Sequence, residues 1–196
     1  KNLPSIITFH LGIPSLDIIK KIQSFGMKVG ITATNINEAK SIENVGADFI
    51  VAQGIEAGGH RGIFDQENID EKITLDNLLI KILENVSLPV VAAGGIMAGR
   101  HIKRVINIGA KAAQLGTAFL TCPEAGTSLI HKHYLLNEQK RKTKITKAFS
   151  GRMARGIKNK FIEEMNGKKI FPFPIQNTIT TPLRRVSQKN NNGEFI

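Results

Sequence analysis

A chain of 196 residues, 41% hydrophobic and 22% charged, can bury a real core as one large or two small domains, which excludes wholesale disorder. No apolar run approaches a membrane span of ~18 residues, no secretory leader is visible, and the single cysteine, Cys122, cannot pair internally, so a cytoplasmic protein without membrane association is expected. The net charge of +11 comes entirely from residues 131–196, which hold 15 Lys/Arg against 4 Asp/Glu, whereas residues 1–130 hold 12 of each sign.

Ser5–Phe9 (SIITF) is expected as a buried strand. Pro14 suits the first turn of a helix in which Leu16, Ile19, Ile22 and Phe25 recur every three residues before Gly26 closes it. Lys28–Thr32 gives a second strand. Asn37 is placed to cap a helix carrying Ala39, Ile42 and Val45, with Gly46 after it. Asp48–Gln53 is a third strand, followed by a long Gly-rich loop. Thr74 starts a helix with Leu75, Leu78, Leu79, Ile82 and Val86 on one side. Pro89–Ala93 is a fourth strand, His101–Ile108 a short helix ended by Gly109, and Lys111–Leu115 a fifth strand. Near-continuous apolar strands separated by single helices predict an α/β fold with a parallel sheet covered by helices. The strand starts repeat every 20–23 residues apart from one gap of about 41, which contains the extra stretch Gly54–Ile73. In such sheets ligands gather at the carboxyl ends of strands, where this loop begins, so it is a candidate site.

Past Pro123 the pattern changes. Ser128–Leu136 reads as a helix, Lys140–Lys147 as a solvated basic face and Ala148–Met165 as a further helical stretch. Residues 170–196, with Pro172, Pro174, Pro182 and the polar run Gln188–Asn192, read as extended or loosely ordered. The expected organisation is a strand–helix domain over 1–122 and a helical, basic segment with an extended tail over 123–196. No nucleic-acid module signature accompanies the basic half, so no nucleic-acid partner is expected; a solvated face, or a surface meeting an anionic cofactor, accounts for the charge.

Three constellations lie just past strand ends. Gln53–Gly62 (QGIEAGGHRG) lets backbone approach a flat ligand closely, and His60 brings a group that exchanges a proton near neutral pH; the competing reading is a flexible loop with a surface histidine. The run Ala92-Ala93-Gly94-Gly95-Ile96, with Ala98-Gly99 opening a helix, points backbone N–H groups at whatever lies above the strand, which suits a phosphate. Gln114-Leu115-Gly116-Thr117 repeats the device one strand later, with the Thr117 hydroxyl as a further donor. Neither a G-x-G-x-x-G after the first strand nor a P-loop is present, which disfavours a Rossmann or P-loop nucleotide site. His131 and His133 face different sides of a helix and do not suggest a metal pair. Cys122 reads as core, and Arg152 and Arg155 in Gly151–Gly156 as a turn whose arginines could also reach an anion.

Taken together, Ser5–Pro14 (SIITFHLGIP), Ala52–Gly62 (AQGIEAGGHRG), Pro89–Ile96 (PVVAAGGI), Ala113–Leu120 (AQLGTAFL) and Gly151–Asn159 (GRMARGIKN) resemble the nitronate monooxygenase family, FMN-dependent (β/α)8 barrels of the TIM type. The resemblance implies a partial FMN-binding barrel of about five parallel strands with a helical C-terminal extension. It implies that Gln53 and Gly58 contact FMN, that Gly94, Gly95, Gln114, Leu115, Gly116 and Thr117 hold its phosphate and ribityl chain, and that His60 is the active-site histidine over the flavin. The implied activity is oxidation of alkyl nitronates, including propionate 3-nitronate, by dioxygen to a carbonyl compound and nitrite. The five strands look like the fourth to eighth of the barrel; with Lys1 at one end and Ile196 at the other, a fragment of a longer protein is expected. Two alternatives stay open: an FMN-dependent NADH:quinone or enoyl-acyl-carrier-protein reductase on the same barrel, and a non-catalytic fragment or basic binding module. The substrate nitronate, use of NAD(P)H and the oligomeric state are not fixed by the sequence.

Overall fold

The computed structural model describes residues 3–137, 139 and 142–196. In chain order the elements of the first part are β1 (Ile6–Phe9), α1 (Leu16–Ser24), β2 (Lys28–Ala33), α2 (Ile36–Asn44), β3 (Phe49–Gln53), β4 (Gly59–His60), α3 (Leu75–Leu83), β5 (Val90–Ala93), α4 (Gly99–Ile108) and β6 (Ala112–Gln114). They are followed by α5 (Leu129–Leu136), β7 (Thr143–Thr146), β8 (Ala154–Ile157), α6 (Lys160–Glu164) and α7 (Ile175–Lys189). Two compact units result: residues 3–57 with 61–115, and residues 58–60 with the described residues from 116 onwards.

The first unit has the parallel sheet covered by helices that the strand–helix repeat predicts, and it is the partial β/α barrel that the resemblance implies. Its five strands are all parallel and follow chain order in space, β1-β2-β3-β5-β6. Val29, Ile31, Ile50, Ala52, Val90 and Ala92 expose no surface, and neither do Ile19, Ile42, Leu78, Leu79, Ile82 and Val105 from the covering helices. Each fully buried Leu or Ile contributes roughly 1.5–3 kcal/mol relative to exposure, which makes this sheet–helix interface the main stabilising element of the unit. The cap of α2 is Asn35 rather than Asn37. Asn35 Oδ1 accepts from the Glu38 N–H at 2.9 Å, and Glu38 Oε2 in turn accepts from the Thr34 N–H and hydroxyl. That reciprocal arrangement satisfies donors at the helix start and puts Asn37 inside the first turn.

The second unit departs from expectation in several places. Ala148–Met165 is not one helical stretch: β8 pairs antiparallel with β4 and β7, and only the five residues of α6 are helical. Thr143–Thr146 of the supposed basic face is strand, while Lys140 and Arg141 lie outside the described residues. Residues 175–189 form the helix α7, with Pro182 inside it, instead of an extended tail. The extension is therefore mixed strand and helix. Cys122 is half-buried. No helix among the described residues is long and apolar enough to cross a membrane.

Candidate functional site

In the first unit, parallel register brings the ends of three neighbouring strands into one row, with Gln53 opposite Ala93 and Ala93 opposite Gln114. Gly94-Gly95 and Leu115 continue directly from that row. Gly94 and Gly95 both turn with positive φ, 120° and 65°, in the region that side chains disfavour. A Cβ on Gly94 would stand 3.1 Å from Ala57 N and 3.3 Å from Gly54 O, so the loop leaving β3 packs against this turn. Five of the candidate residues, Gln53, Gly94, Gly95, Gln114 and Leu115, thus share the carboxyl edge of one sheet.

The loop of residues 54–73 is tied down at several points. Its base closes through Ile55 N–H to Ile73 O at 2.8 Å. Glu56 turns its carboxylate to the start of α3, accepting from Leu75 N–H at 3.0 Å. Glu38 Oε1 accepts from Phe64 N–H at 2.9 Å. Arg61 is 1% exposed; its Nε and Nη2 donate to the two oxygens of Asp70 at 2.9 and 3.2 Å. Arg61 Nη1 donates to Gln53 Oε1, Gln53 O and Gly54 O. Burial pushes the Asp70 carboxyl up, but hydrogen bonds from Arg61 and the Lys72 N–H, with the positive charges of both residues, outweigh it and hold the group below its ordinary value. The sign follows: stability from this pair is present above the ordinary carboxylate range and is lost as pH falls from about 4 towards the lowered folded value. The Tm difference between the parent and Asp70→Asn is therefore expected to be largest near neutral pH and to narrow as the pH is taken down to about 3; a constant difference in a thermal melt series would contradict this.

The remaining candidates, Gly58, His60, Gly116 and Thr117, belong to the second unit. A Cβ on Gly58 would fall 2.6 Å from Thr117 Oγ1, so these two lie against each other. His60 is a strand residue, paired opposite Ala154 of β8, which removes the reading of a loose surface histidine. Its Nε2 lies 2.8 Å from the hydroxyl of Ser150, a residue only 4% exposed. That hydroxyl is itself held at both ends of one residue: Ser150 Oγ donates to Arg152 O at 3.2 Å and accepts from Arg152 N–H at 3.3 Å. α7 braces the segment carrying Ser150, since Gln176 Nε2 donates to Ala148 O at 2.7 Å and Thr180 Oγ1 to Phe149 O at 2.6 Å. Phe173 stands edge-on to the His60 ring, centroids 6.4 Å apart.

Sequence reasoning missed Ser150, Asp70 and the bracing role of α7. The signals were thin: Ser150 directly precedes a recognised glycine turn, and Asp70 lies in the same loop as Arg61. Arg155, read from sequence as part of a turn whose arginines could also reach an anion, donates to Thr143 Oγ1 at 3.0 Å, and burial lowers the Arg152 guanidinium from its ordinary value. Among the described residues no cluster of three or more His, Cys, Asp or Glu could hold a metal ion.

Comparison with known proteins follows the same lines. The family model described as nitronate monooxygenase matches residues 1–195. A probable nitronate monooxygenase of Staphylococcus aureus (strain Newman) is 43% identical over 199 aligned residues, covering all of this chain and 56% of the relative. The nitronate monooxygenase of Paraburkholderia phytofirmans is 46% identical over 158 residues, covering 81% of this chain and 43% of the relative. Among solved structures, the nitroalkane oxidase of Streptomyces ansochromogenes superposes with a TM-score of 0.94 at 39% identity, over 97% of this chain and 56% of that one. FabK from Thermotoga maritima gives 0.76 at 30% identity, over 97% and 59%. The chain spans about half the length of the curated relatives it matches.

Proposed function

The chain belongs to the nitronate monooxygenase family, and from that premise we propose that it supplies the flavin cradle and the catalytic histidine of an FMN-dependent oxidoreductase. Its substrates are alkyl nitronates such as propionate 3-nitronate, which dioxygen oxidises to a carbonyl compound and nitrite. The observation that carries the reading is the row of Gln53, Ala93 and Gln114 with the Gly94-Gly95 turn beside it, at the edge where parallel α/β sheets bind ligands.

The residues fit FMN. The candidates at this edge offer amide and backbone N–H donors, and the one acid of the adjoining segment 54–57, Glu56, faces the start of α3 instead. Gln53 and Gly58 would contact the flavin, while Gly94, Gly95, Gln114, Leu115, Gly116 and Thr117 would hold the phosphate and ribityl chain through short-range donors. Bound FMN supplies the electron chemistry that side chains lack. The protein's own part is to bind and orient. At His60, Nε2 is anchored on Ser150, which fixes the ring plane. An imidazole so fixed steadies the negative charge of nitronate oxygens as a donor, or takes a proton where a nitroalkane is the substrate. The small-molecule partners are the nitronate and dioxygen.

A reductase using NADH on the same barrel is a second reading, which the 30% identity to FabK keeps in view. Anaerobic mixing separates the two. We expect the flavin band of the natural protein to bleach with propionate 3-nitronate and to recover, with nitrite release, on admission of air. Bleaching by NADH alone, with the nitronate inert, would overturn the nitronate reading.

A further inference from the structure

The buried pair Arg61–Asp70 has no part in the chemistry above, yet both side chains are almost wholly enclosed, at 1% and 2% exposure. Taking two charges out of water costs several kcal/mol per ion, and a well-packed apolar pair often stabilises a fold as well or better. Stability alone therefore does not explain the pair. What an apolar pair could not do is donate. Arg61 uses Nε and Nη2 to grip Asp70, which leaves Nη1 aimed at Gln53 Oε1 at 3.0 Å and at the backbone oxygens of Gln53 and Gly54. The Gly62 N–H donates to the same Oε1 at 2.8 Å. Both neighbours can only donate, so the carboxamide must turn its oxygen to them and its amino group the other way.

We propose that Arg61, clamped by Asp70, is a positioning residue that fixes the carboxamide of Gln53 so that it meets the cofactor as a hydrogen-bond donor. The inference rests on the reading of Gln53 as a flavin ligand. The guanidinium fork and the Gly62 N–H hold the carboxamide oxygen on their side, so the edge turned away from them carries N–H groups. Lysine cannot replace the fork, because a single ammonium cannot hold Asp70 through two points and reach Gln53 Oε1 as well.

The test is a double-mutant cycle on FMN binding, read by quenching of flavin fluorescence on titration of the apo form of the natural protein. Arg61→Lys is expected to raise the Kd about tenfold when Gln53 is present and less than about twofold in a Gln53→Ala background, because the effect passes through Gln53. The absorption maximum of the bound flavin is expected to shift in Arg61→Lys towards that of Gln53→Ala. Should Arg61→Lys fail to melt cooperatively, Asp70→Asn takes its place in the cycle, with the same pair of losses expected and the same results counting against the proposal. Equal losses in both backgrounds would make the pair merely structural and overturn the proposal. An unchanged Kd in Arg61→Lys, with Gln53→Ala weakened, would overturn it while leaving the flavin reading intact. A parent protein that takes up no FMN, or a Gln53→Ala variant that binds as the parent does, would overturn the reading of Gln53 and the proposal with it.

Discussion

Replacing His60 with alanine is expected to lower kcat/KM for propionate 3-nitronate by about 10²–10⁴-fold while bound flavin is retained. The loss is large because the imidazole is a prepared group: strand pairing with Ala154 fixes its backbone, and Ser150 fixes Nε2 at 2.8 Å. Flavin is retained because, Gly58 apart, the residues assigned to hold it lie on other segments, Gln53 before the loop and the turns at 94–95 and 114–117, and the substitution leaves Gly58 itself unchanged. Ser150→Ala leaves the imidazole in place but frees its orientation, so a smaller loss of about tenfold is expected, carried mostly by kcat. Steady-state assays on holoproteins matched for flavin content measure both. An unchanged kcat/KM in His60→Ala would remove the histidine from the mechanism.

The second large effect is structural. Gly94→Val would force a β-branched residue to φ 120° and bring its Cβ to 3.1 Å from Ala57 N and 3.3 Å from Gly54 O. Left-handed strain costs about 1–3 kcal/mol, and a neighbour made of backbone cannot move aside as a flexible side chain can. A drop in Tm of roughly 3–10 °C is expected for a chain of this size, together with flavin content well below that of the parent, since this turn is proposed as one wall of the cradle. Calorimetry and released-flavin analysis are the measurements. A variant with normal flavin content would show that the turn does not border the cofactor.

Much of the first unit was legible because its cause is local. Continuous apolar strands such as Phe49–Gln53 and Val90–Ala93, each followed by a glycine and separated by helices with one apolar side, can bury themselves in few ways other than a parallel sheet. The second unit was illegible for an equally physical reason, and α7 illustrates it. Its buried residues are Gln176, Thr180 and Ser187, whereas Ile175, Ile179, Leu183 and Val186 are 50, 55, 37 and 57% exposed. A hydrophobic pattern read from sequence would have turned this helix inside out. The polar side is inward because Gln176 and Thr180 serve the backbone carbonyls of Ala148 and Phe149, contacts that span about thirty residues of chain and leave no periodic trace. β8 was hidden in the same way, since Ala154–Ile157 has little strand propensity of its own and is extended because Arg155 and Ala154 pair with Gly59 and His60. At the candidate site the glycines and His60 stood out by composition. Their supports, Ser150 for the histidine and Asp70 for Arg61, did not, because a buried polar partner is chosen by three-dimensional proximity and can sit 90 residues away.

The central claim, that the glycine-turned strand ends of the sheet hold FMN, is tested most directly by releasing and identifying the flavin of the natural purified protein. We predict one FMN per chain, with a bound spectrum that bleaches anaerobically on addition of propionate 3-nitronate. A colourless protein that takes up no added FMN, or one whose released cofactor is not FMN, would contradict it.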